Sequence, residues 1–76
     1  MEEILKILSK IKPNITIDEN TELIESGILT SFEILRLVIE LNEEFDINIT
    51  PLHTLPENFK NAKAISELVE RLEEEG

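Results

Sequence analysis

The segment from Gly27 to Phe45 constrains the fold of this chain most, because a glycine-ended loop stops where a strongly apolar helix begins. Thr30 and Glu33 have the T-x-x-E spacing of a capping box, which predicts Thr30 as the N-cap residue and Glu33 as N3. Ser31 then falls at the first helical position, with a hydroxyl that capping does not need. A helix N-terminus has unpaired N–H groups and partial positive charge, so a phosphate ester on Ser31 would be stabilised there.

The length and the acidic composition limit which functions are possible for this chain. Its 76 residues make one domain at most and leave no room for a deep active-site cleft with its own supporting shell. The formal net charge of −10 excludes nucleic acid and anionic membranes as partners and favours partners with basic surfaces. Because the chain has no cysteine, we expect no disulfide framework, zinc site or thiol nucleophile.

The sequence contains no signal for export or for insertion into a membrane. No basic region followed by an apolar stretch opens the chain, and no apolar run reaches the length of a membrane span. We therefore expect a cytoplasmic protein that is complete from Met1 and has no membrane span.

Hydrophobic periodicity predicts an all-α fold with three main helices, one short helix and a long first loop. The predicted helices, within a single domain of residues 1–76, span about 2–11, 31–45, 55–59 and 61–74. The connection over residues 15–30 carries spaced apolar residues, which indicates that it packs across the bundle. A short helical turn is expected over residues 21–26, with Gly27 directly after it.

The helix that begins at Ser31 combines a narrow polar stripe with a broad apolar surface. The stripe consists of Glu33, Arg36, Glu40, Glu43 and Glu44. The apolar surface is wider than a core contact in a small bundle needs, so either this helix is central or part of it faces a partner. The stripe is either a solvated helix face or a docking surface for a basic partner.

Other residues with possible chemistry lack a supporting motif. His53 is the sole histidine, and a surface loop position is its default interpretation. The acidic run at residues 18–22 has the beginning of a calcium loop, but Leu23 stands where that loop needs glycine. We therefore expect neither a catalytic residue nor a metal site.

These motifs resemble the acyl carrier protein family and the related carrier domains of peptide synthesis, over essentially the whole chain. The resemblance lies in Gly27–Phe32, in the acidic helix that follows, and in Pro56–Phe59 with Ile65, Leu68 and Val69 beyond it. The layout looks most like freestanding acyl carrier and D-alanyl carrier proteins, because peptidyl carriers have glycines just before the serine. The resemblance implies an acyl-carrier-like helical bundle.

For Ser31 the resemblance implies esterification with 4′-phosphopantetheine, donated from coenzyme A by a phosphopantetheinyl transferase. The arm would hold acyl or aminoacyl intermediates as thioesters, in fatty acid, polyketide or nonribosomal peptide biosynthesis. The resemblance therefore implies that the chain is not itself an enzyme. Its partners would be that transferase, a loading enzyme, and downstream synthases or transferases with basic docking surfaces, and we expect a monomer.

One departure from the family concerns the residue before the serine, which is usually aspartate and here is Thr30. Threonine still caps the helix, but the lost negative charge bears on which transferase loads the chain. Phe32 and Ile39 lie where the family commonly has apolar partner contacts, although both also fit core positions. The expected partner-binding residues are Thr30, Phe32, Glu33, Arg36, Ile39, Glu40 and Glu43. An unmodified interaction module that keeps the fold and has lost the prosthetic group remains the alternative.

Overall fold

Four α-helices and one short 3₁₀ helix make up residues 1–75, the part of the chain that the computed structural model describes. Their bounds are Glu2–Ile11 for α1, Ser31–Phe45 for α2, Pro51–His53 for the 3₁₀ helix, Pro56–Phe59 for α3 and Ala62–Glu75 for α4. Within this range there is no strand, which confirms the predicted all-α fold of three main helices, one short helix and a long first loop. The predicted domain and its tail include Gly76, which lies outside the described residues.

The core forms between α1, α2 and α4, and Phe59 of α3 is buried in it. α1 buries residues with i, i+3, i+4, i+7 spacing, so one stripe of this amphipathic helix faces inward. The buried helical core residues are Ile4, Ile7, Leu8, Ile11, Leu37, Val38, Leu41, Phe59, Ala62, Ile65, Leu68 and Val69. α2 therefore turns one side toward the core, and its polar stripe lies on the other residues of the helix.

The long first loop packs onto the bundle through buried side chains and backbone hydrogen bonds. Leu23 is completely buried, its N–H donates to the Lys60 carbonyl at 2.8 Å, and its own carbonyl accepts the Leu29 N–H at 3.0 Å. The helical turn expected over residues 21–26 is shorter than predicted: residues 21–23 are not helical, and a single turn is closed by a 3.1 Å hydrogen bond from the Gly27 N–H to the Ile24 carbonyl. The backbone around Leu23 pairs with other segments, so it cannot complete a helical ladder.

The segment after α2 runs back along that helix in an extended path. Asp46 ends α2 in the left-handed conformation, with φ of 52°. The side chain of Asn42 then accepts the Ile49 N–H at 2.8 Å, which fixes the segment against the last turn of α2. Ile49 is buried in the core, so the residues that follow it are held beside α2. No helix found in residues 1–75 has the combined length and apolar character needed to cross a membrane.

Candidate functional site at the start of α2

Ser31 is the first residue of α2, and its side chain is exposed. The predicted capping box is confirmed: the Glu33 N–H donates to Thr30 Oγ1 at 3.4 Å, and the Thr30 N–H donates to Glu33 Oε1 at 2.9 Å. Within residues 1–75, no hydrogen bond engages the Ser31 hydroxyl. The start of α2 is therefore capped by Thr30 and Glu33, and the cap does not use the Ser31 hydroxyl.

The first turn of α2 also offers backbone donors to an anion on Ser31. The Ile34 N–H donates to the Thr30 carbonyl at 2.9 Å, whereas the N–H groups of Ser31 and Phe32 have no partner in the part of the chain that the structure describes. Unpaired donors of this kind, together with the helix dipole, stabilise a phosphate group. The residues present therefore suit a phosphodiester on the Ser31 oxygen.

Glu33 has two partners, one from α2 and one from the end of α1. Its Oε1 accepts the Thr30 N–H, and its Oε2 lies 2.6 Å from Lys12 Nζ. Both side chains are largely shielded, with 27% of Lys12 and 22% of Glu33 exposed. The Lys12 ammonium, and after it the Thr30 N–H, hold the pKa of the Glu33 carboxyl below its usual range. Both oxygens of the Glu33 carboxylate therefore have partners within this chain.

Glu40 forms a second ion pair further along α2. Its Oε2 lies 2.8 Å from Lys10 Nζ, and the Lys10 side chain is 62% exposed. Lys10, and to a smaller extent the charge of Arg36, keep the pKa of the Glu40 carboxyl low. Two of the acidic residues expected to bind partners thus face lysines of α1, whereas Arg36 and Glu43 are exposed to solvent.

The outward face of α2 is mainly apolar. Phe32 is 86% exposed, Leu35 59% and Ile39 52%, so neither Phe32 nor Ile39 belongs to the core. Leu52, in the 3₁₀ helix, is exposed to a similar degree as Phe32. Leu35 and Leu52 were not predicted as site residues, although the broad apolar surface of the helix was a signal for Leu35. The side of α2 that a partner could reach is therefore more apolar than acidic.

A cleft of about 310 Å³ opens directly beside Ser31. One wall is α2 and the other is the segment that returns along it from residue 49. The lining residues are Ser31, Ile34, Leu35, Val38, Ile49, Thr50, Pro51 and Thr54. Most of these side chains are apolar, so the cleft suits an apolar group better than a charged one. Sequence reasoning did not predict it, because its second wall depends on how the segment after α2 folds back.

His53 and Asp18 both have structural hydrogen bonds. His53 Nδ1 accepts the Thr50 N–H at 3.0 Å, which caps the 3₁₀ helix. The Asp18 carboxylate accepts the Asn20 N–H at 2.9 Å and the Thr21 hydroxyl at 3.1 Å. These bonds hold the pKa of Asp18 below its ordinary value, the Asn20 bond most. Across residues 1–75, no three histidine or acidic side chains are grouped as a metal site would require.

Comparison with known proteins shows likeness along almost the entire chain. The chain is 30% identical over 73 residues to a D-alanyl carrier protein of Staphylococcus xylosus, which covers 93% of this chain and 94% of that protein. Its fold matches a chain in a solved structure described as "Crystal structure of FAD-dependent dehydrogenase", with a TM-score of 0.78 and 26% identity. That match covers 87% of this chain and 96% of the other, so the two chains are of similar length. No family model matches the sequence.

Proposed function

This chain belongs to the acyl carrier protein family, and from that premise we propose that it carries acyl or aminoacyl groups as thioesters on a 4′-phosphopantetheine arm at Ser31. The observation that carries the proposal is the exposed Ser31 hydroxyl at the first position of α2, next to a cap that does not use it. We include residues 1–76 in one carrier domain.

The residues around Ser31 suit the attachment of this arm. The Ser31 oxygen would form a phosphodiester with the phosphate that carries the arm, while the pyrophosphate bond of coenzyme A breaks and adenosine 3′,5′-bisphosphate leaves. The N–H groups of Ser31 and Phe32 would face the new phosphodiester. When bound, the arm supplies a terminal thiol on which an acyl group is held as a thioester. The transferase must supply the base that takes the serine proton, because the Ser31 hydroxyl has no hydrogen-bond partner within residues 1–75.

We infer that the chain catalyses no step itself and acts in the cytoplasm as a shuttle between enzymes. These would be a phosphopantetheinyl transferase, a loading enzyme and downstream synthases or transferases. The net charge of −10 favours fast encounter with basic surfaces, and the exposed apolar residues Phe32 and Ile39 favour a short-lived contact at α2. Because a solved structure with a matching chain is described as an FAD-dependent dehydrogenase, oxidation of a tethered group is one reaction class to test.

Two kinds of cargo have support from different observations. An aminoacyl group, D-alanyl first, is favoured by the name of the relative from Staphylococcus xylosus. A short acyl chain is favoured by the cleft of about 310 Å³ beside Ser31. That volume is near the lower end of the roughly 300–1,000 Å³ found for small-ligand pockets, so the cleft suits a short chain better than a long one.

Intact mass spectrometry tests the attachment. The chain is incubated with coenzyme A, magnesium and several phosphopantetheinyl transferases, beside the matched variant Ser31→Ala. We expect the wild type to gain the mass of the arm and the variant to gain nothing. A gain that persists in Ser31→Ala contradicts the site. Refusal by every transferase, together with tight binding of one partner by the unmodified chain, would support the unmodified interaction module.

NMR of loaded chains tests the cargo. The arm is attached in two forms, one with alanyl and one with octanoyl, and the amide shifts of Ile34, Val38 and Ile49 are compared with those of the arm alone. If the cleft holds acyl chains, the octanoyl form shifts these amides and the alanyl form does not. Equal spectra for the two forms would show that the cargo stays outside the cleft.

A further inference from the structure

We propose that Lys12 is a positioning residue for the modification of Ser31, because it binds the same carboxylate that closes the cap of α2. The inference rests on the proposed attachment at Ser31. In this proposal Lys12 acts by holding the turn that contains Ser31. It does not contact the transferase.

The carboxylate of Glu33 joins two parts of the fold. One oxygen accepts the Thr30 N–H at 2.9 Å, and the other lies 2.6 Å from Lys12 Nζ. Lys12 is the C-cap residue directly after α1, and its own N–H donates to the Leu8 carbonyl at 2.8 Å. Ser31 lies between Thr30 and Glu33, so the turn that contains it is tied to the end of α1.

The tie matters because the chain between the two helices is long. Residues 13–29 separate Lys12 from Thr30. Just before α2, this segment is held by the hydrogen bond from the Leu29 N–H to the Leu23 carbonyl. Without the ammonium of Lys12, Glu33 could still accept the Thr30 N–H, but its second oxygen would turn to water. The start of α2 would then move more freely relative to α1.

A second ion pair provides a matched comparison. Lys10 and Glu40 join the same two helices, but Glu40 lies seven residues beyond Glu33, which is about 10 Å further along α2. Lys10 is also the more exposed lysine, with 62% of its side chain accessible against 27% for Lys12. Water screens the exposed Lys10 more strongly. Only the carboxylate bound by Lys12 also accepts the Thr30 N–H, so the Lys12 pair is the one that ties the turn containing Ser31 to the end of α1.

Transfer of a phosphoryl-linked group is sensitive to the placement of the accepting oxygen. An acceptor that samples more orientations spends less time in the geometry for attack, which lowers kcat/KM. We therefore expect Lys12→Met to lower the kcat/KM of loading by about threefold to tenfold. Lys10→Met removes the same charge from the same face, and we expect its kcat/KM to stay within about twofold of the wild type.

The kinetic experiment compares wild type, Lys12→Met, Lys12→Arg and Lys10→Met as intact chains, with one transferase and coenzyme A. Recovery of the rate in Lys12→Arg separates the ion pair from the shape of the side chain. Urea unfolding of each variant checks that the rates compare folded proteins. Equal losses in Lys12→Met and Lys10→Met would overturn the proposal, as would a loss that Lys12→Arg does not restore.

Amide hydrogen exchange tests the tie without any loading. We expect the Thr30 N–H to exchange faster in Lys12→Met than in Lys10→Met, and the pKa of Glu33 to rise toward its usual range only in Lys12→Met. Unchanged exchange at Thr30 would refute the positioning role even if Ser31 is loaded normally. Failure of the wild type to be loaded would instead count against the proposed function, so the two failures are distinguishable.

Discussion

The N–H of Thr50 donates to Nδ1 of His53 at 3.0 Å, so the sole histidine closes the turn that forms the second wall of the cleft. Asn58 secures the same turn from the other side, since its amide donates to the His53 carbonyl at 2.8 Å. The wall beside Ser31 is therefore held by side chains that come after α2 in the sequence.

The first prediction concerns this wall. His53→Ala removes the acceptor for the Thr50 N–H, and we expect it to lower the free energy of unfolding by about 1 kcal/mol. His53→Asn places a carbonyl oxygen close to the position of Nδ1 and should keep more of the stability. Urea unfolding measures both variants. Equal stability of His53→Ala and wild type would show that the bond contributes nothing.

The second prediction concerns pH. The carboxyl pKa values of Glu33 and Glu40 are lowered from 4.5 in the folded chain, chiefly by hydrogen bonds to Lys12 and Lys10 respectively. A lowered folded-state pKa gives stability that is present above the unfolded value and is lost as pH falls through the folded value. We expect the urea midpoint to be level near neutral pH and to fall below about pH 4.5.

The matched variant for the pH prediction is Glu33→Gln, which keeps an acceptor for the Thr30 N–H but cannot ionise. Its urea midpoint should depend less on pH between neutral and acid conditions than that of the wild type. A profile as steep as the wild type's would assign the acid sensitivity to other carboxyls, Asp18 among them, whose pKa is also lowered.

The third prediction concerns the apolar face of α2. Phe32 is 86% exposed, so we expect Phe32→Ser to change the free energy of unfolding by no more than about 0.5 kcal/mol. If this face docks partners, the same variant should weaken transfer from a loading enzyme about fivefold or more. Ile15→Ser, on the first loop, is the control for the loss of an exposed apolar side chain. Equal effects of the two variants on transfer would argue against docking at Phe32.

The fourth prediction concerns the loop that leads into α2. Gly27 has a φ of 78°, and a Cβ added there would meet no atom within 4 Å. The cost of Gly27→Ala is therefore backbone strain alone, about 1 kcal/mol of unfolding free energy. Gly27→Asn should cost less, because asparagine tolerates the left-handed region better. Thermal unfolding measures the stability of the three proteins. At an unstrained site, the alanine variant would be as stable as the glycine protein or more stable.

The features that sequence predicted best are those that depend on neighbours along the chain. Thr30 and Glu33 are three residues apart, and helix geometry alone brings their side chains and backbone together. The all-α fold followed from the spacing of apolar residues, since one face of each main helix must be buried.

The features that sequence could not predict depend on which segments meet in space. Glu33 and Glu40 have the spacing of a docking stripe, but their lysine partners lie on another helix and leave them turned toward α1. The turn before Gly27 differs from the expected helical turn because Leu23 pairs with Lys60, a residue far along the chain. Pattern and spacing contain no information about such distant contacts.

The pairing of Lys10 and Lys12 with the acids of α2 has a consequence for recognition in a cell that holds several carriers. Because the outward face of α2 is mainly apolar, the contact itself would depend little on ionic strength, whereas the encounter favoured by the net charge of −10 would slow as salt rises. Enzymes that need free carboxylates at the positions of Glu33 and Glu40 would find both already paired with lysines. Selectivity between the enzymes of different pathways would then depend on apolar contacts with the outward face of α2.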